Sequence, residues 1–139
     1  MKFINSEFST TLNHSKLSLS FGDFYLFDRF FISEMHEGIH FDPEKLEDLI
    51  IHLVEFYGED IKLGYISNRV NSFSVDPKIW TEIKNNYDFI VASAIVSYSN
   101  ASLIHANLEK RLSIKSLKRC TSLEEAIKWI KNLKEFNQN

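Results

Sequence analysis

Glycine is scarce in this sequence. Four residues, Gly22, Gly38, Gly58 and Gly64, lie scattered through 139 positions. A phosphate-cradling loop needs several glycines close together, so neither a P-loop nor a dinucleotide fingerprint is present. There is also no G-x-S-x-G elbow to carry a nucleophilic serine, although serine itself is plentiful. The single cysteine, Cys120, has no partner in the chain for an internal disulfide. The opening stretch MKFINSEFSTTLNHSK is broken by polar residues where a secretory signal would be apolar. Together these features lead to the expectation of a reducing, cytoplasmic address. Positive charge is not in excess either, with 16 Lys and Arg against 19 Asp and Glu, a net charge of −3 and a sequence pI near 5.9. Nucleic acid is therefore not an expected partner. No run approaches the roughly 20 apolar residues of a membrane span.

What is present is core material. Hydrophobic residues make up 44% of the chain, and twelve phenylalanines dominate the aromatic 14%. A chain of this length and composition folds as one soluble domain, here assigned to the whole of 1–139 with a core at about residues 15–133. Leu17, Leu19 and Phe21 alternate with serines as a half-buried strand does, and Gly22-Asp23 suits a hairpin turn. The two prolines both follow aspartate. Asp42-Pro43 opens a helix whose stripe is Leu46, Leu49, Ile50, Leu53, Val54 and Tyr57, ending at Gly58. IKLGYISNRV reads as a strand, and Asp76-Pro77 starts a second helix with Ile79, Trp80, Ile83 and Tyr87 inward. FIVASAIVSY lacks polar alternation, as a central strand covered on both faces does. Ser99 or Asn100 caps a third helix with the stripe Ala101, Ile104, Leu108 and Leu112. IKSLKRC follows as a sheet-edge strand rich in lysine. The last helix carries Ala126, Ile127, Ile130 and Leu133 inward, and its capping box fits either Thr121 with Glu124 or Ser122 with Glu125. A hairpin followed by alternating helices and strands predicts an α/β fold with a largely parallel sheet.

Residues 36–40 read HEGIH, the five-letter zinc-protease signature. The chemistry needs a helix, where residues four apart lie about 6 Å from each other on one face. In a strand the same spacing is about 13 Å, which no zinc bridges. The preceding aromatics, Gly38 inside the motif and the Asp42 cap just after it place His36 and His40 at a strand end. A rival helical register runs through Phe24, Phe27, Phe31 and Met35. Even on that helix a third ligand is needed, and the extended metzincin pattern meets Pro43 and Leu46 where it requires glycine and histidine. Glu59 qualifies as a ligand by spacing alone. A metal-dependent hydrolase through His36, Glu37 and His40 is thus the disfavoured reading, and no metal or other cofactor is expected. Cys120 beside Arg119 reads as a small core residue, and His52 and His105 as helix-surface histidines.

The stretch SNRVNSFSVDP, residues 67–77, is the candidate binding element. It leaves the carboxyl end of a strand, where open α/β sheets carry function, and precedes a helix N-terminus, which favours anions. Its candidate partner-binding or regulatory residues are Asn68, Arg69, Asn71, Ser72, Ser74 and Asp76.

EGIHFDPEKLEDLI, YISNRVNSFSVDP, FIVASAIVSYSNAS and the closing SLEEAIKWI, taken in this order, resemble the STAS domains, in particular the SpoIIAA-like proteins that occur as stand-alone bacterial chains. The resemblance implies a four- to five-stranded mixed sheet with helices mainly on one face, no catalytic apparatus, and a protein partner in bacterial signalling. It also implies a switch by phosphorylation in the loop before the second helix, where this chain has Ser72 and Ser74. The Asp-Ser-Ser-Gly-like phosphorylation motif is replaced here by Asn71-Ser72-Phe73-Ser74. Because the same fold resembles that of a lipid-transfer domain, a small apolar ligand is the alternative expectation. The sequence leaves homo-oligomerisation open.

Overall fold

A computed structural model describes residues 1–99 and 116–133. The helix expected over Ala101, Ile104, Leu108 and Leu112, its Asn100 cap and His105 lie outside the described residues. The strands are β1 (Ser15–Leu19), β2 (Gly22–Leu26), β3 (Phe30–Met35), β4 (His40–Phe41), β5 (Leu63–Asn68), β6 (Ser74–Val75), β7 (Ile90–Val96) and β8 (Ser116–Cys120). A short 3-10 turn at Phe3–Asn5 and helix α1 (Phe8–Thr11) precede them, and α2 (Pro43–Tyr57), α3 (Lys78–Asn86) and α4 (Leu123–Lys131) follow or intervene. The main sheet has six strands in the order β1-β2-β3-β5-β7-β8, and β4 with β6 forms a separate parallel pair. The first two pairings are antiparallel and the remaining three parallel. An N-terminal hairpin thus leads into helix–strand alternation, and the charged β8 lies at the sheet edge as its lysines suggested.

The sheet is wider than the four to five strands expected because residues 22–35 form two strands. Neither a long strand nor the helix through Phe24 and Met35 is present. The chain reverses at Phe27–Phe30, where Phe27 N donates to Phe30 O at 2.9 Å. The Tyr57 hydroxyl of α2 also donates to the carbonyls of Phe27 and Phe30. This turn is held from outside, which is why it needs neither glycine nor proline. The first hairpin turns at Ser20 and Phe21, two residues before the Gly22-Asp23 turn anticipated, and Gly22 already pairs with Leu19. Gly22 is required for close approach instead: a Cβ there would lie 3.1 Å from Glu34 O and 3.2 Å from Met35 Cα on the neighbouring strand.

Side chains alternate between two apolar layers. Phe24, Leu26, Phe31, Met35, Tyr65 and Ile95 pack with Leu46, Leu49 and Leu53 of α2 and with Ile79, Trp80 and Ile83 of α3. On the opposite face Tyr25, Ile32, Ile66, Ala92, Ala94 and Val96 meet Ala126, Ile127 and Ile130 of α4, together with Phe3. Among the described residues two of the three longer helices, α2 and α3, cover one face and α4 covers the other. The interior strands carry apolar residues on both sides, and each side needs a cover. At about 1.5–3 kcal/mol for each fully buried large side chain, both layers contribute substantially.

The caps explain the helix starts. Asp42, in extended conformation, accepts from Lys45 N at 3.0 Å with Pro43 in the first turn, and α2 ends before Gly58 at φ 87°. Asp76 Oδ1 accepts from Lys78 N at 3.0 Å just ahead of α3. At α4 the second of the two registers is found: Ser122 Oγ accepts from Glu125 N at 3.1 Å, and Glu125 Oε1 accepts from Thr121 N at 2.9 Å.

Candidate functional site

The two segments singled out by the sequence, HEGIH and SNRVNSFSVDP, are bound to each other. Past Met35 the chain turns at Glu37–Gly38, Gly38 taking φ 80°, and re-enters extended structure at His40. Gly38 N donates to Ser72 O at 2.7 Å, Ser74 N to Ile39 O at 3.0 Å, and Asp76 N to Phe41 O at 2.9 Å. Side chains complete the joint. Glu37 Oε2 accepts from Ser72 N at 2.7 Å, Asn71 Nδ2 donates to Met35 O at 3.0 Å, and His40 Nδ1 lies 2.7 Å from Ser74 Oγ. The result is a ridge beyond the carboxyl ends of β3 and β5, with Glu37, Gly38, His40, Ser72 and Ser74 exposed along it.

The zinc-protease motif therefore occupies neither the helix it requires nor one continuous strand. The 13 Å separation expected for an unbroken strand does not apply, because the turn intervenes. The two histidines face different partners. His36 Nδ1 lies 3.2 Å from the carbonyl of Ser20, which only accepts, and its Nε2 lies 3.9 Å from Asp23. Among the described residues no group of three or more His, Cys, Asp or Glu side chains is placed to hold a metal ion.

The candidate residues divide by environment. Ser72 and Ser74 are exposed on the ridge; Asn71 and Asp76 are half-buried, Asn71 holding the carbonyl of Met35 and Asp76 the first amide of α3. Arg69 is half-buried: its Nε donates to Ser67 Oγ at 3.2 Å, and its guanidinium lies 5.3 Å from the centre of the Phe73 ring. Asn68 is not part of the exposed surface at all. It is 1% exposed, and its amide donates to Glu34 Oε2 at 2.7 Å and to Met1 O at 2.9 Å, while its Oδ1 accepts from the Tyr98 hydroxyl at 2.7 Å.

This polar group on the α4 side of the sheet was not anticipated. Glu34, 5% exposed, also accepts from Phe3 N at 2.7 Å, so the N-terminal residues are tied down by a buried carboxylate. Phe3 itself is fully buried between His14, Tyr25 and Phe27. Burial, aided by the Glu34 charge, pushes the Tyr98 hydroxyl up to about 12, so it remains a donor across the neutral range. Burial, then Glu34 and Asp23, do the same to Tyr25, also to about 12. The sequence signal was there: a carboxylate inside the apolar run FFISEM needs donors wherever that run is buried. Cys120 is buried at the end of β8, and desolvation, with the Glu125 charge, pushes its thiol up to about 11. It packs as a core residue, and no described helix is long and apolar enough to cross a membrane.

No family model matches the chain, and no curated protein matches it in sequence. Among solved structures the chain is similar to an uncharacterised protein of the DUF3478 family with a SpoIIAA-like fold from Shewanella loihica PV-4. The two are 9% identical over 86% of this chain and 93% of that one, with a TM-score of 0.48.

Proposed function

We propose that this chain is a STAS-like, non-catalytic module that recognises a protein partner through the ridge of residues 36–41 and 69–76. One observation carries the reading: the exposed loop is fixed before any partner arrives. Three backbone hydrogen bonds and the Glu37, Asn71 and His40 contacts hold it against the preceding segment. A surface already ordered loses little conformational entropy on binding, so more of its contact energy appears as affinity. The side chains that would have served a hydrolase are engaged in this bracing: Glu37 on the Ser72 amide and His40 on the Ser74 hydroxyl. Bacterial signalling is the setting that the family resemblance suggests. A phosphoryl group on Ser74 would displace its contact with His40 and place charge near Asp76, which gives the ridge a means of switching.

The test compares the tagged chain with a Ser72→Glu, Ser74→Glu variant as bait in extract of the source cells. Ser74→Glu removes the hydroxyl that contacts His40 and Ser72→Glu sets a second carboxylate near Glu37, so the melting temperature is measured alongside and the comparison is made where the variant remains folded. The reading expects at least one protein retained by wild type and lost by the variant. A folded variant that retains every wild-type partner refutes it.

A further inference from the structure

The main sheet ends differently on its two sides. At one edge β8 carries Lys118 and Arg119 within the strand, and such charges discourage a further strand. At the other edge β1, SKLSL, has no proline, glycine or bulge, and it pairs with β2 without interruption from Ser15 opposite Leu26 to Leu19 opposite Gly22. Its one cation does not guard the edge. Lys16 turns back over its own sheet, with Nζ 6.0 Å from the centre of the Tyr25 ring.

The backbone pattern fixes which groups of β1 face outward. In an antiparallel ladder successive residues direct their N–H and C=O to opposite sides. Phe21 O accepts from His36 N and Phe27 N donates to Phe30 O, both at 2.9 Å, so the odd-numbered residues from Phe21 to Phe27 face β3, and Gly22, Phe24 and Leu26 face β1. Their partners Leu19, Leu17 and Ser15 therefore bond inward. The backbone N–H and C=O of Lys16 and Ser18 point away from the sheet, and among the described residues no hydrogen bond outside the sheet reaches them.

This edge is complementary to itself. About a two-fold axis at Leu17, Lys16 of one copy faces Ser18 of the other, and each such pair exchanges both of its N–H···O=C bonds. Leu17 then meets its own counterpart in the closer, non-hydrogen-bonded kind of pair. On the α2 side Leu19 of the second copy lands opposite Ser15, which shares a small recess with Phe56 at the end of α2, 52% exposed. On the other side Lys16 of the second copy lands opposite Ser18, in one row with Asp23 and Glu34. At about 4.8 Å per strand it stands roughly 10 Å from Asp23, Cα to Cα, with only a serine between, a span that a lysine side chain crosses. The backbone alone would accept any extended strand; the matches at Leu17, Phe56 and Asp23 favour a second copy.

We infer that β1 is a self-association edge, at which two copies join their β1 strands antiparallel about Leu17 and merge their six-stranded sheets into one. The surface uses no residue of the ridge, so each reading stands or falls without the other.

Sedimentation velocity of the full chain between about 5 and about 500 μM tests it, and a concentration-dependent rise from the 16.3 kDa monomer toward a dimer is expected. Amide hydrogen exchange read by NMR reports the register: Lys16 and Ser18 should slow as concentration rises, whereas Leu17 and Leu19, bonded to β2, should be slow throughout. Ser18→Pro deletes an outward N–H and leaves the bonds to β2 intact, as an edge strand tolerates. It should keep the fold by circular dichroism and raise the dimer dissociation constant at least about tenfold. Should it unfold, Lys16→Glu, at an exposed position, must weaken the dimer several-fold by setting a carboxylate toward Asp23 of the other copy. The inference is overturned if the chain stays monomeric across that range, if a dimer forms while the Lys16 and Ser18 amides remain unprotected, or if a folded Ser18→Pro protein associates as wild type does.

Discussion

Asn68→Ala removes the centre of the buried polar group at the ends of β3, β5 and β7. In the native chain Asn68 gives one amide hydrogen to Glu34 at 2.7 Å and another to Met1 O at 2.9 Å, and receives the Tyr98 hydroxyl. Tyr98 keeps Met1 O as an acceptor at 3.3 Å, and Met1 is 64% exposed, so the loss of these two contacts costs little. Glu34, at 5% exposure, does not recover water. A hydrogen bond to a charged group contributes about 1.5–3 kcal/mol, and its loss leaves a buried carboxylate short of a donor. The void left by the shortened side chain adds about 1 kcal/mol. The expected total is about 3 kcal/mol, a large share of the roughly 5–15 kcal/mol that holds a domain of this size. Urea unfolding measures it, as a midpoint lowered by about 1–2 M at unchanged slope. Replacing Glu34 by the neutral Gln in the same protein should restore part of the loss, because the orphaned group no longer carries charge. A cost for Asn68→Ala under about 1 kcal/mol, or a Glu34→Gln substitution equally harmful in both backgrounds, would refute this account of the network.

Asp42→Ala deletes the α2 cap and should lower stability by about 1 kcal/mol, with His36→Ala costing less; thermal melts compare the two. The hydrogen bond from Lys45 N holds the Asp42 carboxyl below its ordinary value of 3.8, so its contribution is present above that pH and fades as the pH falls through the lowered value. The difference between wild type and Asp42→Ala should therefore shrink in acid. Arg69→Glu should destabilise the fold as well as alter the ridge, since it removes the Nε donor to Ser67 Oγ and the cation over Phe73; a melting point equal to wild type would contradict this. Cys120 should react with a disulfide reagent at neutral pH at least about a hundredfold more slowly in the native chain than in denaturant.

The elements that could be read from the sequence are those specified by neighbours in the chain. Asp42-Pro43 and Gly58 bracket α2, and Ser122 with Glu125 begins α4, because capping is chemistry between residues three or four apart. The β2–β3 turn escaped because Tyr57, far along the chain, secures it, and because strands covered on both faces lose the alternation that reveals them. The two-residue strands β4 and β6 are too short to carry any pattern. Half of the ridge was legible for a similar reason: a loop after a strand is recognisable, but its bracing by HEGIH is a tertiary fact. Asn68 was placed on the wrong side of that boundary, since its position at the last residue of β5 turns its side chain into the α4 layer.

The two layers on either side of the sheet differ in grain. Phe24, Phe31, Met35 and Tyr65 fill one, whereas β7 offers the other only Ala92, Ala94 and Val96, and α4 answers with Ala126. Small residues let backbones approach, and α4 comes within 8 Å of β7 and β5, Cα to Cα. The bulky layer can absorb an exchange of one large side chain for another by repacking, as cores of mixed shape do. The patch where β7 meets α4 has no such slack, because a single added methylene at Ala92, Ala94 or Ala126 acts as a wedge between a helix and a sheet. Sequence drift in this protein is therefore expected to be lopsided, free to exchange shapes beneath α2 and α3 and held to small residues where β7 meets α4. Deleting one residue within β7 would be the harshest change of all, since it would swap the two grains and force large side chains into the narrow gap.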